Sequence, residues 1–194
     1  MLHFYTHSVP EPPPTAIHIT PSLSIPLRAV SEYLGLPPIC TYSDTTSYNY
    51  SISGSADNPE DFSIHSTFLS TRDEVHFYRT QALLEHRGAG AMRLMESIIS
   101  AVNNSNLRPV STHLNQLASV VDKFTDILMN VRKECDPAVF FNRIRVWLPG
   151  GKLVYDLEGG ESVEEEWTGF SAAQSSTIQA LDAFLGIQPL THEP

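Results

Sequence analysis

"LLEHRGAGAMRLMESIISAV" (Leu83–Val102) places Leu84, Gly88, Ala91, Met95, Ile98 and Val102 at successive spacings of 4, 3, 4, 3 and 4. That spacing keeps one face of an α-helix against a neighbour; a strand would alternate every second residue. It predicts a helix over 74–102. Gly88 and Gly90 each lower helix stability by about 1 kcal/mol relative to alanine. Their presence predicts that another backbone or a ligand comes close at that point.

Working outward, Leu114, Leu117, Val121, Phe124, Leu128 and Val131 succeed one another at spacings 3, 4, 3, 4 and 3. They predict a second helix over 110–134 whose stripe is core, with no functional role. Asp136 is placed to cap a third helix over 136–148, with Pro137 at its first position and "PGG" (149–151) as its breaker. "KLVYDLEGG" reads as a short strand or extended piece, and "ESVEEE" (161–166) as a solvated loop or a helix's first turn. A last helix is expected over 171–186. Upstream, "SIPLRAVSEYL" (24–34) predicts a short helix with Pro26 near its first turn and Gly35 as its stop. "GLPPICTYSD" is extended, because residues before proline avoid the α region. Residues 47–70 read as polar and irregular, with one short strand at "FSIHSTF". Residues 1–21, with "PEPPP", form an irregular proline-rich segment ahead of one domain over 22–194. Long helices with little strand make the fold class mainly α.

The chain has 194 residues, 41% of them hydrophobic, enough for one domain with a sizeable core. Its 12 basic against 22 acidic residues leave a net charge of −10, which argues against nucleic-acid binding. No apolar stretch is long enough to span a membrane, and "MLHFYTHSVPEPPPT" has no signal-peptide pattern. A cytoplasmic protein is expected. Its two cysteines, Cys40 and Cys135, then read as reduced, buried thiols.

Several candidate sites lack the partners their chemistry needs. His3 and His7 lie four apart beside prolines. His76 and His86 sit roughly 80° apart around one helix and cannot easily share a ligand. His65 and His113 stand alone, and a lone histidine is more often structural than a metal ligand. "GFSAA" (169–173) has the Gly and Ser of a nucleophile elbow without its second glycine. Phe140, Phe141 and Arg145 have more content, since Phe141 and Arg145 share a helix face at i, i+4. Two readings stand. The arginine can bind a carboxylate while the rings hold a flat ligand, or its stem can cover core while the head reaches water.

Four stretches, in order, resemble the indoleamine 2,3-dioxygenase family. They are "IPLRAVSEYLGLPPICTYSD" (25–44), "CDPAVFFNRIRVWLPG" (135–150), "LVYD" (153–156) and "GFSAAQSSTIQALDAFLGI" (169–187). The last is the most specific, similar to the family's Gly-Gly-Ser-Ala-Gly-Gln-Ser-Ser block. The resemblance implies a helical domain holding haem b, which activates dioxygen for insertion across the indole C2–C3 bond of tryptophan to give N-formylkynurenine. It implies that Arg145 binds the substrate carboxylate and that Phe140, Tyr42, Phe77, Gln81, Ser171 and Ala172 contact the substrate. Ser171, Ala172 and Ala173 would also leave room for the haem.

The sequence departs from the family pattern in four places. Gln81 replaces a small hydroxyl residue. Phe170 replaces a glycine and is expected to fill part of the pocket. The loop "LPGGKLVYD" lacks a tryptophan-containing segment. No helix carrying the family's proximal histidine is recognisable, and His192 cannot replace it. The expectation is therefore a partial haem domain, inactive by itself, with an indole and dioxygen as small-molecule partners. Its uncovered face would favour self-association. The alternatives are a binding protein without haem, or an iron-independent enzyme acting on an indole compound.

Overall fold

The computed structural model describes residues 16–187. Two helices dominate it: α2 (Arg72–Asn103) and α3 (Val110–Glu134), joined by a short turn and packed against each other. α2 starts where Thr71 caps it, its side chain accepting from the Glu74 amide. Its fully buried Glu74 turns back to accept the amides of Phe68 and Leu69, so the entering loop is fixed at both ends.

The stripe read from the sequence is the buried one: Leu84, Gly88, Ala91, Met95 and Ile98 face the core, and only Val102, in the last turn, is exposed. The two glycines differ. A Cβ on Gly88 would lie 1.7 Å from Thr177 Oγ1, so the expected close approach exists there. It is made by α4 (Ser176–Leu185), which docks on α2. A Cβ on Gly90 would meet nothing within 4 Å, so no other backbone comes close at that position.

The α3 stripe is only half core. Leu117 and Phe124 are buried, whereas Leu114, Val121 and Leu128 are 44%, 37% and 46% exposed. α3 packs on α2 through Leu117 and Phe124 with Val110, Val120 and Ile127 beside them. That contact line leaves Leu114 and Val121 facing outward.

The third predicted helix is a composite. Asp136 caps it as expected, accepting from the Ala138 and Val139 amides. One α turn (Pro137–Val139) passes into a π-helical turn (Phe140–Ile144) and then a 3-10 turn (Arg145–Trp147). The final helix is also broken. Ala172–Gln174 form a 3-10 turn, and α4 begins only after Ser175, whose side chain caps it by accepting from the Ile178 amide.

A small three-stranded sheet flanks the helices. β1 (Ile17–Ile19) runs parallel to the central β4 (Gly151–Asp156), and β5 (Ser162–Trp167) runs antiparallel to it on the other side. β1 replaces the irregular chain expected there; Ile17 and Ile19 supply an apolar face that packs with Leu153 and Tyr155. β5 replaces the expected acidic loop. Its burial alternates, with Val163, Glu165 and Trp167 half-buried between exposed Ser162, Glu164 and Glu166, the period of a one-sided strand. α1 (Pro21–Leu34) starts three residues earlier than read, with Pro21 at its first position, which leaves Pro26 inside it. Gly35 ends it in the left-handed conformation, φ 65°. A two-stranded hairpin, β2 (Tyr50–Ile52) with β3 (Phe62–Ile64), covers one side of α2; β3 lies in the predicted "FSIHSTF". No described helix is long and apolar enough to cross a membrane.

Candidate functional site

The site lies where α2, the composite helical segment and the start of α4 converge, and two glycines bring the latter two together. A Cβ on Gly150 would fall 1.9 Å from the Trp167 carbonyl oxygen, and one on Gly169 would fall 1.9 Å from that of Leu148. Only paired glycines let the chain leaving the composite segment cross the chain entering residues 170–175. This crossing sets Leu148 beside Phe170 and Ser171.

Between these elements is a cavity of about 430 Å³. Phe77, Gln81 and Leu84 form its α2 wall, Phe140 and Leu148 another, and Phe170, Ser171, Ala172, Ser175 and Ile178 a third; Tyr42, Thr80, Leu128 and Val131 close the rest. The volume and the mostly apolar lining with a few polar groups are those of a small-molecule site. The rings of Phe77 and Phe140 meet with centroids 4.9 Å apart and planes at 49°. Phe170 fills space as expected: it is buried, lines the cavity, and stacks on Phe68, which stacks on Trp147.

Six of the eight residues singled out from the sequence thus border one cavity: Tyr42, Phe77, Gln81, Phe140, Ser171 and Ala172. Ala173 does not; it is exposed in the 3-10 turn, and its carbonyl accepts from Gln179. Arg145 does not either. It is exposed, with its guanidinium carbon 5.3 Å from the centroid of the Phe141 ring, itself 59% exposed. The shared face of Phe141 and Arg145 is real, but it turns outward while Phe140 turns inward. Between them the chain makes a π turn, in which the Arg145 amide bonds the Phe140 carbonyl, five residues back. Successive residues lie about 100° apart around a helix axis, so the face that carries Phe141 is turned away from the one that carries Phe140.

Sequence reading missed Glu85. Its carboxylate accepts from the Tyr42 hydroxyl at 3.1 Å, from the Ser175 hydroxyl, and from the Thr177 hydroxyl and amide at 3.0 and 3.3 Å. Burial, then the negative charge of Glu85, pushes the Tyr42 phenol well above its ordinary value. A glutamate inside a helix reads as a solvated charge, and its partners lie 43 to 92 residues away, so no local signal marked it. Leu128 and Val131, read as core alone, also line the cavity.

No described histidine borders the cavity. His76 faces α3, with Nε2 3.1 Å from the Asn130 carbonyl oxygen and Nδ1 3.7 Å from Glu134. His86 packs its ring on Phe62 and lies 3.2 Å from the Tyr50 hydroxyl. His65 is exposed, and His113 sits in a polar groove near the α2–α3 turn. His3, His7 and His192 lie outside the described residues. Burial pushes the Cys40 thiol up to about 12 and raises Cys135 as well, so neither is an available thiolate. No three His, Cys, Asp or Glu side chains converge among the described residues. The cavity suits a flat apolar group, and no described histidine lies on its wall.

Against known proteins, the sequence profile of the indoleamine 2,3-dioxygenase family matches residues 1–193. The chain is 34% identical over 187 residues to indoleamine 2,3-dioxygenase acdA of Aspergillus candidus, covering 87% of this chain and 46% of that protein. It is 30% identical over 176 residues to indoleamine 2,3-dioxygenase 1 of Mus musculus, covering 86% and 43%. It is 28% identical over 179 residues to 6-hydroxytryptophan 2,3-dioxygenase fscD of Fusarium equiseti, covering 86% and 44%. The chain spans less than half the length of these relatives.

Proposed function

The chain belongs to the indoleamine 2,3-dioxygenase family, and on that premise we propose that its cavity is the indole-binding side of a haem dioxygenase pocket. The reaction served is insertion of dioxygen into the indole ring of L-tryptophan, giving N-formylkynurenine. One observation carries this reading: six residues chosen by resemblance, from four separate stretches of sequence, border the same cavity.

The division of labour comes from the side chains. Phe77 and Phe140 offer a tilted pair of rings, which suits an aromatic ligand slotted against them. Ser171 and Ala172 keep the third wall low. The Ser171 hydroxyl is already engaged, accepting from the Ala173 amide, so it holds the turn more than it binds ligand. The axial imidazole has to come from outside the described residues, and these residues by themselves bind an indole without turning it over.

The substrate carboxylate needs a cation. Arg145 is the one the family resemblance assigns, and reaching the cavity requires it to leave the Phe141 ring. Such a cation–π contact contributes only about 0.5–1 kcal/mol at an exposed site. A charge-assisted hydrogen bond to a ligand carboxylate outweighs it.

A second substrate reading is favoured by Gln81. Its amide projects polarity into an otherwise apolar wall, with no hydrogen bond to a described residue. That suits an indole carrying a ring hydroxyl, the class named for the Fusarium equiseti relative.

The test is calorimetric titration of the purified chain with L-tryptophan and with ring-hydroxylated tryptophan, with and without haemin. The reading expects saturable binding of one or the other, reduced by Phe140→Ala, and no N-formylkynurenine from the chain and haemin. Absence of binding to both would remove the proposal. Product formation would show that the chain does hold an axial ligand.

A further inference from the structure

Glu85 stands directly behind the cavity wall, between α2 and the start of α4. Two of its partners, Tyr42 and Ser175, line the cavity, yet both hydroxyl hydrogens point away from it, toward Glu85 Oε1. The other oxygen, Oε2, takes the Thr177 amide and hydroxyl. Four donors thus meet one acceptor-only group. Thr177 is also the residue pressed against Gly88, so the carboxylate acts where α4 touches α2.

We propose that Glu85 is a positioning residue that sets the chemistry of the cavity by holding the Tyr42 and Ser175 hydroxyl hydrogens out of it. The wall then presents the Tyr42 ring and carbon-bound hydrogens, which favours an apolar ring and discriminates against a ring acceptor at that side. This inference rests on the cavity being the indole site.

The isosteric Glu85→Gln substitution has a directional consequence. The Thr177 amide cannot reverse its polarity, so the carboxamide oxygen must take the Oε2 place. The carboxamide nitrogen then occupies the Oε1 place and donates to the oxygens of Tyr42 and Ser175. The Ser175 oxygen already accepts from the Ile178 amide at 3.2 Å. At least one of the two hydroxyl hydrogens must then leave the Glu85 side, and the cavity that both residues line is available to it. The variant keeps the α4 anchor and changes only the polarity of the wall.

The experiment uses the full chain as wild type, Glu85→Gln and Glu85→Ala. Binding of indole and of the isomeric azaindoles, each with one ring nitrogen in place of a C–H, is measured by calorimetry. Amide exchange at Thr177 is monitored without ligand. One gained neutral hydrogen bond changes affinity by roughly three- to tenfold. Wild type is expected to prefer indole. Glu85→Gln is expected to shift by that factor toward at least one azaindole while Thr177 stays protected, and Glu85→Ala to lose the Thr177 protection. An unchanged indole-to-azaindole ratio in a folded Glu85→Gln, or undiminished Thr177 protection in Glu85→Ala, would overturn the proposal. If no ring binds wild type, the indole-site reading fails, and the exchange result still decides whether Glu85 anchors α4.

Discussion

The Phe77 and Phe140 rings, 63 residues apart in sequence, pack 4.9 Å from centroid to centroid at 49° on the wall of a single cavity. α2 presents the first ring, and the opening of the π-helical turn presents the second. Because Phe140 is only half-buried, part of its surface is free for a ligand. Phe140→Ala is therefore expected to weaken indole binding about tenfold, from lost ring contact of about 1 kcal/mol or more. Phe141→Ala, altering the exposed neighbour, should change binding by less than about twofold. Calorimetric titration of the two variants checks the contrast.

The two α2 glycines should respond oppositely to alanine. Gly88→Ala drives a Cβ into Thr177 and is expected to destabilise the chain by about 1–3 kcal/mol through displacement of α4. Adding Thr177→Ala should recover part of that loss, since the nearest clashing atom goes. Gly90→Ala meets open space and should be neutral or stabilise by about 0.5–1 kcal/mol. Urea denaturation of the variants measures all three.

How much of the fold and site could be read from sequence depended on how locally each feature is encoded. The α2 stripe was legible because Leu84, Gly88, Ala91, Met95 and Ile98 all face the core. The α3 stripe misled, because an apolar period shows that a face exists without showing what covers it; Leu114 and Val121 share the period and face outward, and Leu128 borders the cavity. β5 was hidden by charge: "SVEEEW" reads as solvent-facing until pairing with β4 shows that only alternate residues point out. Arg145 shares a face with the exposed Phe141, one position from the inward Phe140, and nothing in the local sequence marks which of the two faces is covered. Glu85 is defined wholly by long-range partners.

The outward apolar stripe on α3 has its own consequence. Leu114 and Val121 lie seven residues apart on one side of the helix, where exposed apolar surface favours association. The chain made alone is expected to self-associate, and Leu114→Lys with Val121→Lys to shift it toward monomer. Sedimentation velocity at several concentrations reads the change; an unaltered distribution would place the contact elsewhere.

Alkaline pH should destabilise the fold in a set order. Burial, helped by Asp44, pushes the Cys40 thiol from 9.0 up to about 12, and burial, helped by Glu165, pushes the Tyr155 phenol up to about 12. In the unfolded chain both lose their protons at their ordinary, lower values. Between the ordinary and raised values the folded state holds more protons, so stability falls as pH rises through that window. Below it, the contribution is fully present. Thermal melts are expected to fall from about pH 9 upward, and Cys40→Ala should flatten the first part of that fall. An equal slope in the variant would show that Cys40 is not the group responsible.

The central claim is that an indole occupies the cavity between α2, the composite helical segment and the start of α4. Intermolecular nuclear Overhauser effects between bound L-tryptophan and the aromatic-labelled chain test it most directly. Contacts are expected from the indole protons to the Phe77 and Phe140 rings and to the Ala172 methyl. Binding with contacts confined to residues outside this cavity, and none to Phe77 or Phe140, would contradict it.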